Sequence, residues 1–251
     1  MTASEAAKTN LSDNSQNRKN SQKNDGNRLS KRALGLIFLT VFIDLIGFGL
    51  IIPVMPSYAK ELHASDFSVG LLIAAYSLMQ LVFAPFWGRL SDHVGRRPIL
   101  LFSLAASSIG YLIWGTSATL AALFLSRLVQ GAGNANIPVA QAYVADITTP
   151  ENRAKGMGLI GAAFGLGFVL GPAIGGFLVS PVCQNFVATV FPAFYRSSHL
   201  SGLQLIGFVA AAISLIDLVL TFFLLPEPEK RSRAASKSKI KYTANAVTGK
   251  K

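Results

Sequence analysis

Six long apolar runs follow one another along the 251-residue chain and dominate its pattern of hydrophobic and polar positions. Each run reaches or approaches the ~20 residues that a helix needs to cross a bilayer. The core of a soluble protein would not repeat runs of this length so often, so the pattern predicts an all-α membrane protein with six transmembrane helices. The runs cover residues 33–53, 69–87, 98–114, 119–144, 157–179 and 203–225.

The segments before and after these runs have a different composition. Residues 1–32 are rich in Asn, Ser, Lys and Gln and contain no apolar run, so they cannot bury enough surface to offset the entropy of ordering. Residues 226–251 are mostly polar and basic. We therefore predict a disordered tail (1–32), a six-helix transmembrane domain (33–225) and a basic tail (226–251).

The positions of the charges predict an orientation in the membrane. Only 14% of the residues are charged, and 20 of the 23 lysines and arginines lie in the two tails and in the loops at 89–97 and 146–156. Because positively charged segments stay on the cytoplasmic side, we predict a plasma (inner) membrane protein with both termini in the cytoplasm. The basic tail either binds anionic lipid headgroups or is simply solvated. Nucleic-acid binding is not expected, because Tyr242 is the only aromatic residue among the basic residues of 226–251.

Two charged residues lie deep inside the predicted helices. Asp44 interrupts the first run and Arg127 the fourth, where each charge costs at least ~2.5–3.5 kcal/mol on insertion scales. Charged groups at this depth are candidates for function, and a carboxyl group there can bind and release a proton. We predict proton coupling by Asp44 and Arg127, with a purely structural pairing between helices as the alternative.

Polar residues at helical spacing predict the wall of a cavity. Those of the fourth run share one face, and two on the second run lie four residues apart. On the sixth run, Asp217 shares a face with Ser214 and Thr221, and it either lines the cavity or forms a hydrogen bond between helices. The predicted cavity-lining residues are Tyr76, Gln80, Gln130, Asn134, Gln141 and Asp217.

The segment between the second and third runs, GRLSDHVGRRP at residues 88–98, carries a distinctive spacing of glycine and charge. Gly95 can adopt a backbone conformation that other residues resist. Asp92 can accept backbone N–H bonds, and Arg96 and Arg97 can pair with carboxylates. A plain basic loop explains the arginines but not the spacing of Gly and Asp.

This segment resembles the G-x-L-x-D-R/K-x-G-R/K-R/K signature of the major facilitator superfamily, with His93 where the family usually has Arg or Lys. Residues 44–53 and the R-x-x-Q-G pattern at 127–131 also resemble its drug:proton antiporters. Residues 145–153 resemble the corresponding loop of tetracycline and multidrug exporters. A fourth pattern, G-P-x-x-G-G, is formed by Gly171, Pro172, Gly175 and Gly176.

The resemblance implies a fold and a set of roles. The chain would be one half, a 3+3 inverted repeat, of a fold whose transporters have two six-helix halves. Arg127 would act in proton transfer, Asp44 would be the first-helix acid, and the glycine–proline pattern would shape the interface between halves. Asp92, Arg96 and Asp146 would form a charge relay that latches the outward-open state. The cytoplasmic motif as a whole comprises Gly88, Asp92, Gly95, Arg96, Arg97 and Asp146.

The predicted activity is transport, specifically proton-coupled export of drug-like small molecules. The alternatives are a truncated non-transporting fragment, a membrane interaction protein, or half of a sugar or siderophore transporter. The expected partners are membrane lipid, protons, a small-molecule substrate, and either a separate C-terminal half or a second copy. No enzyme activity, cofactor or metal site is expected, since the sequence has no nucleophile elbow, phosphate-binding loop or metal-ligand cluster.

Overall fold

The computed structural model describes residues 32–190 and 202–228, and within these ranges the regular structure is entirely α-helical. The predicted tails therefore lie outside the described residues, except for Arg32 and residues 226–228. The helices are α1 (Arg32–Ile51), α2 (Met55–Glu61), α3 (Asp66–Val94), α4 (Arg96–Gly115), α5 (Leu120–Gly133), α6 (Asn136–Ile147), α7 (Arg153–Val179), α8 (Pro181–Val190) and α9 (Gly202–Leu224).

Five of these helices, namely α1, α3, α4, α7 and α9, are long and apolar enough to cross a membrane. The remaining crossing is divided between α5 and α6, of 14 and 12 residues. The fourth apolar run is therefore two helices rather than one. The break lies at Asn134, which leaves the helical conformation at φ −73° and ψ 93°. Pro138 explains it, because its ring clashes with the carbonyl of the residue four positions earlier and it has no N–H to donate.

The turn between α3 and α4 is tighter than the sequence predicts. Residues 88–94, expected in a loop, continue α3 to Val94, and α4 begins at Arg96. Only Gly95 separates the two helices, with φ at 122° as the sequence predicts for this glycine. A Cβ atom there would also lie 2.6 Å from a carboxylate oxygen of Glu227, so both conformation and space require glycine.

Two apolar clusters hold the helices together at the two ends of the bundle. One cluster lies towards the end that holds Gly95, and we call this end the basic end; its core includes Ile37, Leu100 and Tyr143. The other lies towards the opposite end and includes Trp114 and Leu123. The buried polar side chains of α1, α4, α5 and α6 lie between these clusters, at mid-bundle.

Helix α2 covers the opposite end. Its Tyr58 packs edge-on against Trp114 and donates a hydrogen bond of 2.5 Å to the carbonyl of Ser117, which follows α4. Burial raises the pKa of the Tyr58 phenol above its ordinary value of 10.0, so this hydroxyl stays a donor over the physiological range. The contact fixes the chain between α1 and α3 to the end of the bundle.

Candidate functional site

Asp44 lies in the middle of α1 and is 7% exposed. The side chains of Ser107 on α4 and Asn136 on α6 lie beside its carboxyl group. Both neighbours are neutral, and Asp44 forms no ion pair with any residue that the structure describes. Neutral neighbours leave this buried carboxyl group free to exist with or without its proton, which is the property that proton coupling requires.

Arg127 on α5 is the second charged group at mid-bundle and is 2% exposed. Its guanidinium carbon lies 4.8 Å from the centre of the Trp114 ring and 6.0 Å from that of Tyr76. Its Nε and Nη2 atoms have no hydrogen-bond partner within the described residues, and it forms no ion pair with Asp44. Two aromatic faces therefore hold this cation, and its N–H groups remain available.

Three of the predicted cavity-lining residues lie on α3, near the end of α5 or directly after it, and one of them contacts Arg127. Tyr76 contacts the guanidinium, Asn134 donates a hydrogen bond to the Tyr76 hydroxyl, and Gln130 packs closely against Gly110 on α4. All three are buried. Gln80 is half-buried and Gln141 is exposed, so the structure places these two apart from the buried group.

Asp217 lies on α9 and is 1% exposed. Thr221 donates a hydrogen bond of 3.4 Å to its Oδ1 atom, and the hydroxyls of Thr221 and Thr40 are 2.9 Å apart. The hydrogen bond between α1 and α9 is thus the one between Thr40 and Thr221, and Asp217 is bonded to Thr221 within α9. The carboxyl group is enclosed by helices rather than exposed at the mouth of a cavity.

The basic end holds a charged cluster of Asp92, Arg96 and Asp146. The Arg96 guanidinium lies 2.6 Å from Asp92 on α3 and 3.0 Å from Asp146 on α6, and it donates a 2.6 Å hydrogen bond to Ser91. The Arg96 side chain is only 14% exposed. Three predicted motif residues thus meet in one contact, which ties α3, α4 and α6 together.

Glu227 is a residue of this end that the sequence analysis missed. Its Oε1 and Oε2 atoms accept hydrogen bonds from the backbone nitrogens of Arg96 and Arg97, at 2.7 and 3.1 Å. The Arg97 side chain donates to the Phe222 carbonyl and lies over the Phe222 ring. The available signal was an acidic residue between two prolines, directly after the last apolar run and before a basic tail.

Trp114, Ser107 and Asn136 were also missed. A tryptophan inside an apolar run looks like an ordinary core residue, and serine is common in membrane helices. Asn136 follows the break between α5 and α6, and only the folded chain brings it beside Asp44. Sequence spacing within one helix cannot reveal contacts of this kind.

The glycines of the glycine–proline pattern on α7 lie in two different environments. A Cβ atom at Gly171 would lie 2.7 Å from the Cα of Gly49, and one at Gly175 would lie 2.5 Å from the Leu50 carbonyl, so these glycines allow α1 and α7 to touch. Pro172 lies within α7, beside Gly49. A Cβ atom at Gly176, or at Gly88 on α3, would meet no atom within 4 Å from another part of the described structure. Packing inside the bundle explains why Gly171 and Gly175 are glycines, but it does not explain Gly88 and Gly176.

Comparison with known proteins extends these findings. Residues 37–247 match the Major Facilitator Superfamily. The chain is 36% identical over 208 residues to multidrug resistance protein 2 of Bacillus subtilis (strain 168), which covers 81% of this chain and 47% of that protein. It is 42% identical over 160 residues to the class B tetracycline resistance protein of Escherichia coli, covering 62% of this chain and 40% of that protein.

The fold has a counterpart among solved structures. A bacterial homologue of the human lysosomal transporter Spinster, in an inward-facing and unoccupied conformation, matches with a TM-score of 0.71 at 20% identity. The match covers 80% of this chain and 44% of that one. The chain thus spans less than half the length of the relatives it matches. The resemblance predicted from the sequence motifs is confirmed, including the likeness to multidrug and tetracycline resistance proteins, and the chain belongs to the Major Facilitator Superfamily as an integral, multi-pass membrane protein.

Proposed function

We propose that this chain supplies the proton-binding six-helix unit of a proton-coupled exporter of drug-like small molecules. The observation that carries the proposal is Asp44, a buried carboxyl group at mid-bundle whose neighbours Ser107 and Asn136 are neutral. The names of the relatives, which are multidrug and tetracycline resistance proteins, support drug-like compounds as the substrate class.

The chemistry of Asp44 favours exchange of a proton for a substrate. A charged carboxylate in this position lacks a fixed cation beside it, so a proton or a cationic substrate group stabilises it. One carboxyl group cannot hold both, and binding of the substrate therefore favours release of the proton. Arg127, held by Trp114 and Tyr76 rather than by Asp44, is the second charged group at mid-bundle, and we assign it to proton transfer.

Transport in this proposal requires a second six-helix unit. The matched relatives are more than twice as long as their matched segments, and the open positions Gly88 and Gly176 leave room for close contact with another helix. The unit is provided by a further part of the same polypeptide, a separate chain or a second copy. The charged cluster of Asp92, Arg96 and Asp146 then latches the two units at the basic end in the outward-open state.

The orientation follows from the charge distribution. We propose that the basic end faces the cytoplasm of the plasma (inner) membrane, together with both termini. The basic residues of 226–251 then lie beside anionic headgroups. Protease digestion of sealed right-side-out vesicles tests this orientation, because both tails should be protected there and cleaved only in everted vesicles.

A chimaera tests the proposed function. Residues 1–225 are fused to the remaining portion of the Bacillus subtilis multidrug resistance protein 2 and reconstituted in proteoliposomes that hold a pH-sensitive dye. Under an acid-inside gradient, ethidium or tetracycline added outside should enter and protons should leave the lumen. A chimaera that is folded and inserted yet moves neither drug nor protons contradicts the proposal. Transport by the unfused chain alone would identify a second copy as the partner.

A further inference from the structure

A second buried carboxyl group lies beside the one to which the proposed function assigns the proton. Asp217 on α9 is 1% exposed, and its Oδ2 atom has no hydrogen-bond partner among the described residues. The side chains nearest to its carboxyl group, Thr40 and Thr221, are neutral hydroxyls. A carboxylate with one oxygen unsatisfied in such a place is strongly disfavoured, whereas a protonated carboxylic acid has no net charge to bury.

The hydroxyls beside Asp217 extend from it towards Asp44 on α1. Thr221 donates to Asp217 Oδ1 at 3.4 Å, and its hydroxyl lies 2.9 Å from that of Thr40 on α1. Thr40 is four residues before Asp44, so the two side chains lie on one face of α1 with Cβ atoms about 5–6 Å apart. That gap is one that a single water molecule bridges.

The ionisable groups on the helices around Asp217 do not neutralise it. On α1 the ionisable groups are Arg32, which is exposed at the first residue of the helix, and Asp44, which is itself acidic. On α4, Arg97 is bound by the Phe222 carbonyl and ring, and the part of α4 that contacts α9 at Ser214 offers the Ser108 hydroxyl. Helix α7 meets α9 at the opposite end, where Leu178 and Val179 belong to the apolar cluster. No cation among the described residues is paired with Asp217.

From this geometry we infer that Asp217 is a second proton-binding carboxyl group, which exchanges protons with Asp44 through the hydroxyls of Thr40 and Thr221. Asp44 gives its proton to the bridging water molecule, which passes one of its own protons to Thr40; Thr40 passes its own proton to Thr221, and Thr221 passes its proton to Asp217. Each hydroxyl ends the step with one proton, so the balance is one proton moved from one carboxyl group to the other. The role in transport rests on the proposed function, but the proton on Asp217 does not.

Infrared spectroscopy of the purified full chain in lipid nanodiscs tests the proton directly. At neutral pH the carbonyl stretch of protonated Asp217 should be present; Asp217→Asn should remove this component of the band, leaving any component from Asp44, and Asp217→Glu should retain one. The matched control is Asp66→Asn, since Asp66 is exposed and paired with Lys60, and its spectrum should equal that of the parent. Circular dichroism confirms that each variant is folded. A carbonyl band that is unchanged in folded Asp217→Asn overturns the inference.

The path is tested by hydrogen–deuterium exchange of the same band. Transfer to D2O should shift the Asp217 band, and Thr221→Val or Thr40→Val should slow that shift by about tenfold, which corresponds to a barrier higher by about 1.4 kcal/mol. The control is Ser126→Ala, another buried hydroxyl but on α5, which should leave the rate unchanged. Equal rates in all variants overturn the hydroxyl path. These results do not depend on drug transport, so an inactive chimaera with the Asp217 band present contradicts only the proposed function.

Discussion

The Glu227 carboxylate lies 2.7 Å from the backbone nitrogen of Arg96, at the first turn of α4. Glu227, three residues after the end of α9, thereby caps the N-terminus of α4. Backbone N–H groups at a helix start have no partner within the helix, and a negative charge there is favoured by the helix dipole. The contact joins the segment after α9 to the start of α4 at the basic end.

Removal of this contact should destabilise the bundle. We expect Glu227→Ala to lower the free energy of unfolding by about 1 kcal/mol, the usual cost of losing a helix cap. Thermal unfolding in detergent, followed by circular dichroism, measures the change. Glu61→Ala is the control, because Glu61 is exposed at the end of α2 and makes no such capping contact. Equal melting temperatures for Glu227→Ala and the parent would show that the cap contributes nothing.

The partly buried ion pair of the charged cluster should contribute a larger coupling free energy to folding than an exposed ion pair does. A double-mutant cycle on Arg96→Ala and Asp146→Ala should give a coupling free energy of about 1 kcal/mol or more, because the Arg96 side chain is only 14% exposed. The chain offers a matched control in Lys60 and Asp66, 3.0 Å apart but with side chains 62% and 90% exposed. That pair should show a coupling near zero. Similar coupling in both cycles contradicts this account of the cluster.

The glycines of α7 should respond in opposite ways to alanine. Gly171→Ala places a methyl group 2.7 Å from the Gly49 Cα, so α1 and α7 must separate, at a cost of about 1–3 kcal/mol. Gly161→Ala meets nothing within 4 Å and should be neutral or stabilising by up to ~1 kcal/mol, since alanine is the better helix former. Melting temperatures of the two variants in detergent measure the difference. A stabilising Gly171→Ala would contradict the close contact of α1 and α7.

Arg127 should not be replaceable by lysine. Its guanidinium carbon lies 4.8 Å from the centre of the Trp114 ring, and a lysine ammonium group cannot provide the same planar cation with the same N–H positions there. In the reconstituted chimaera, Arg127→Lys should reduce drug-coupled proton release by about tenfold, or ~1.4 kcal/mol. Arg89→Lys, at an exposed position of α3, should keep full activity. Full activity of Arg127→Lys would mean that positive charge alone suffices there.

Much of the fold could be predicted from the length of the apolar runs, because a membrane helix must be largely apolar along its whole length. The break at Asn134 could have been inferred from Pro138, whose effect lies four residues earlier in the chain. The end of α3 at Val94 is harder to infer, because a charged helix that continues beyond the membrane looks like a loop.

Residues of the candidate site could be predicted where their signal lies within one short segment of the sequence. Asp44, Arg127 and the charged cluster were recognised because their charge or motif is visible within a short segment. Ser107, Trp114, Asn136 and Glu227 were missed because each acts on a residue in another helix. The Tyr76–Asn134 hydrogen bond shows how helical spacing suggests a shared face without giving the partner.

The most direct test of the central claim is substrate-driven proton release by the reconstituted chimaera with Asp44→Asn. Asparagine keeps the size and polarity of the side chain but cannot bind and release a proton at this site. We predict that Asp44→Asn abolishes proton release on drug addition, while the exposed control Asp66→Asn releases protons like the parent. Undiminished drug-driven proton release by a folded Asp44→Asn chimaera would contradict the account.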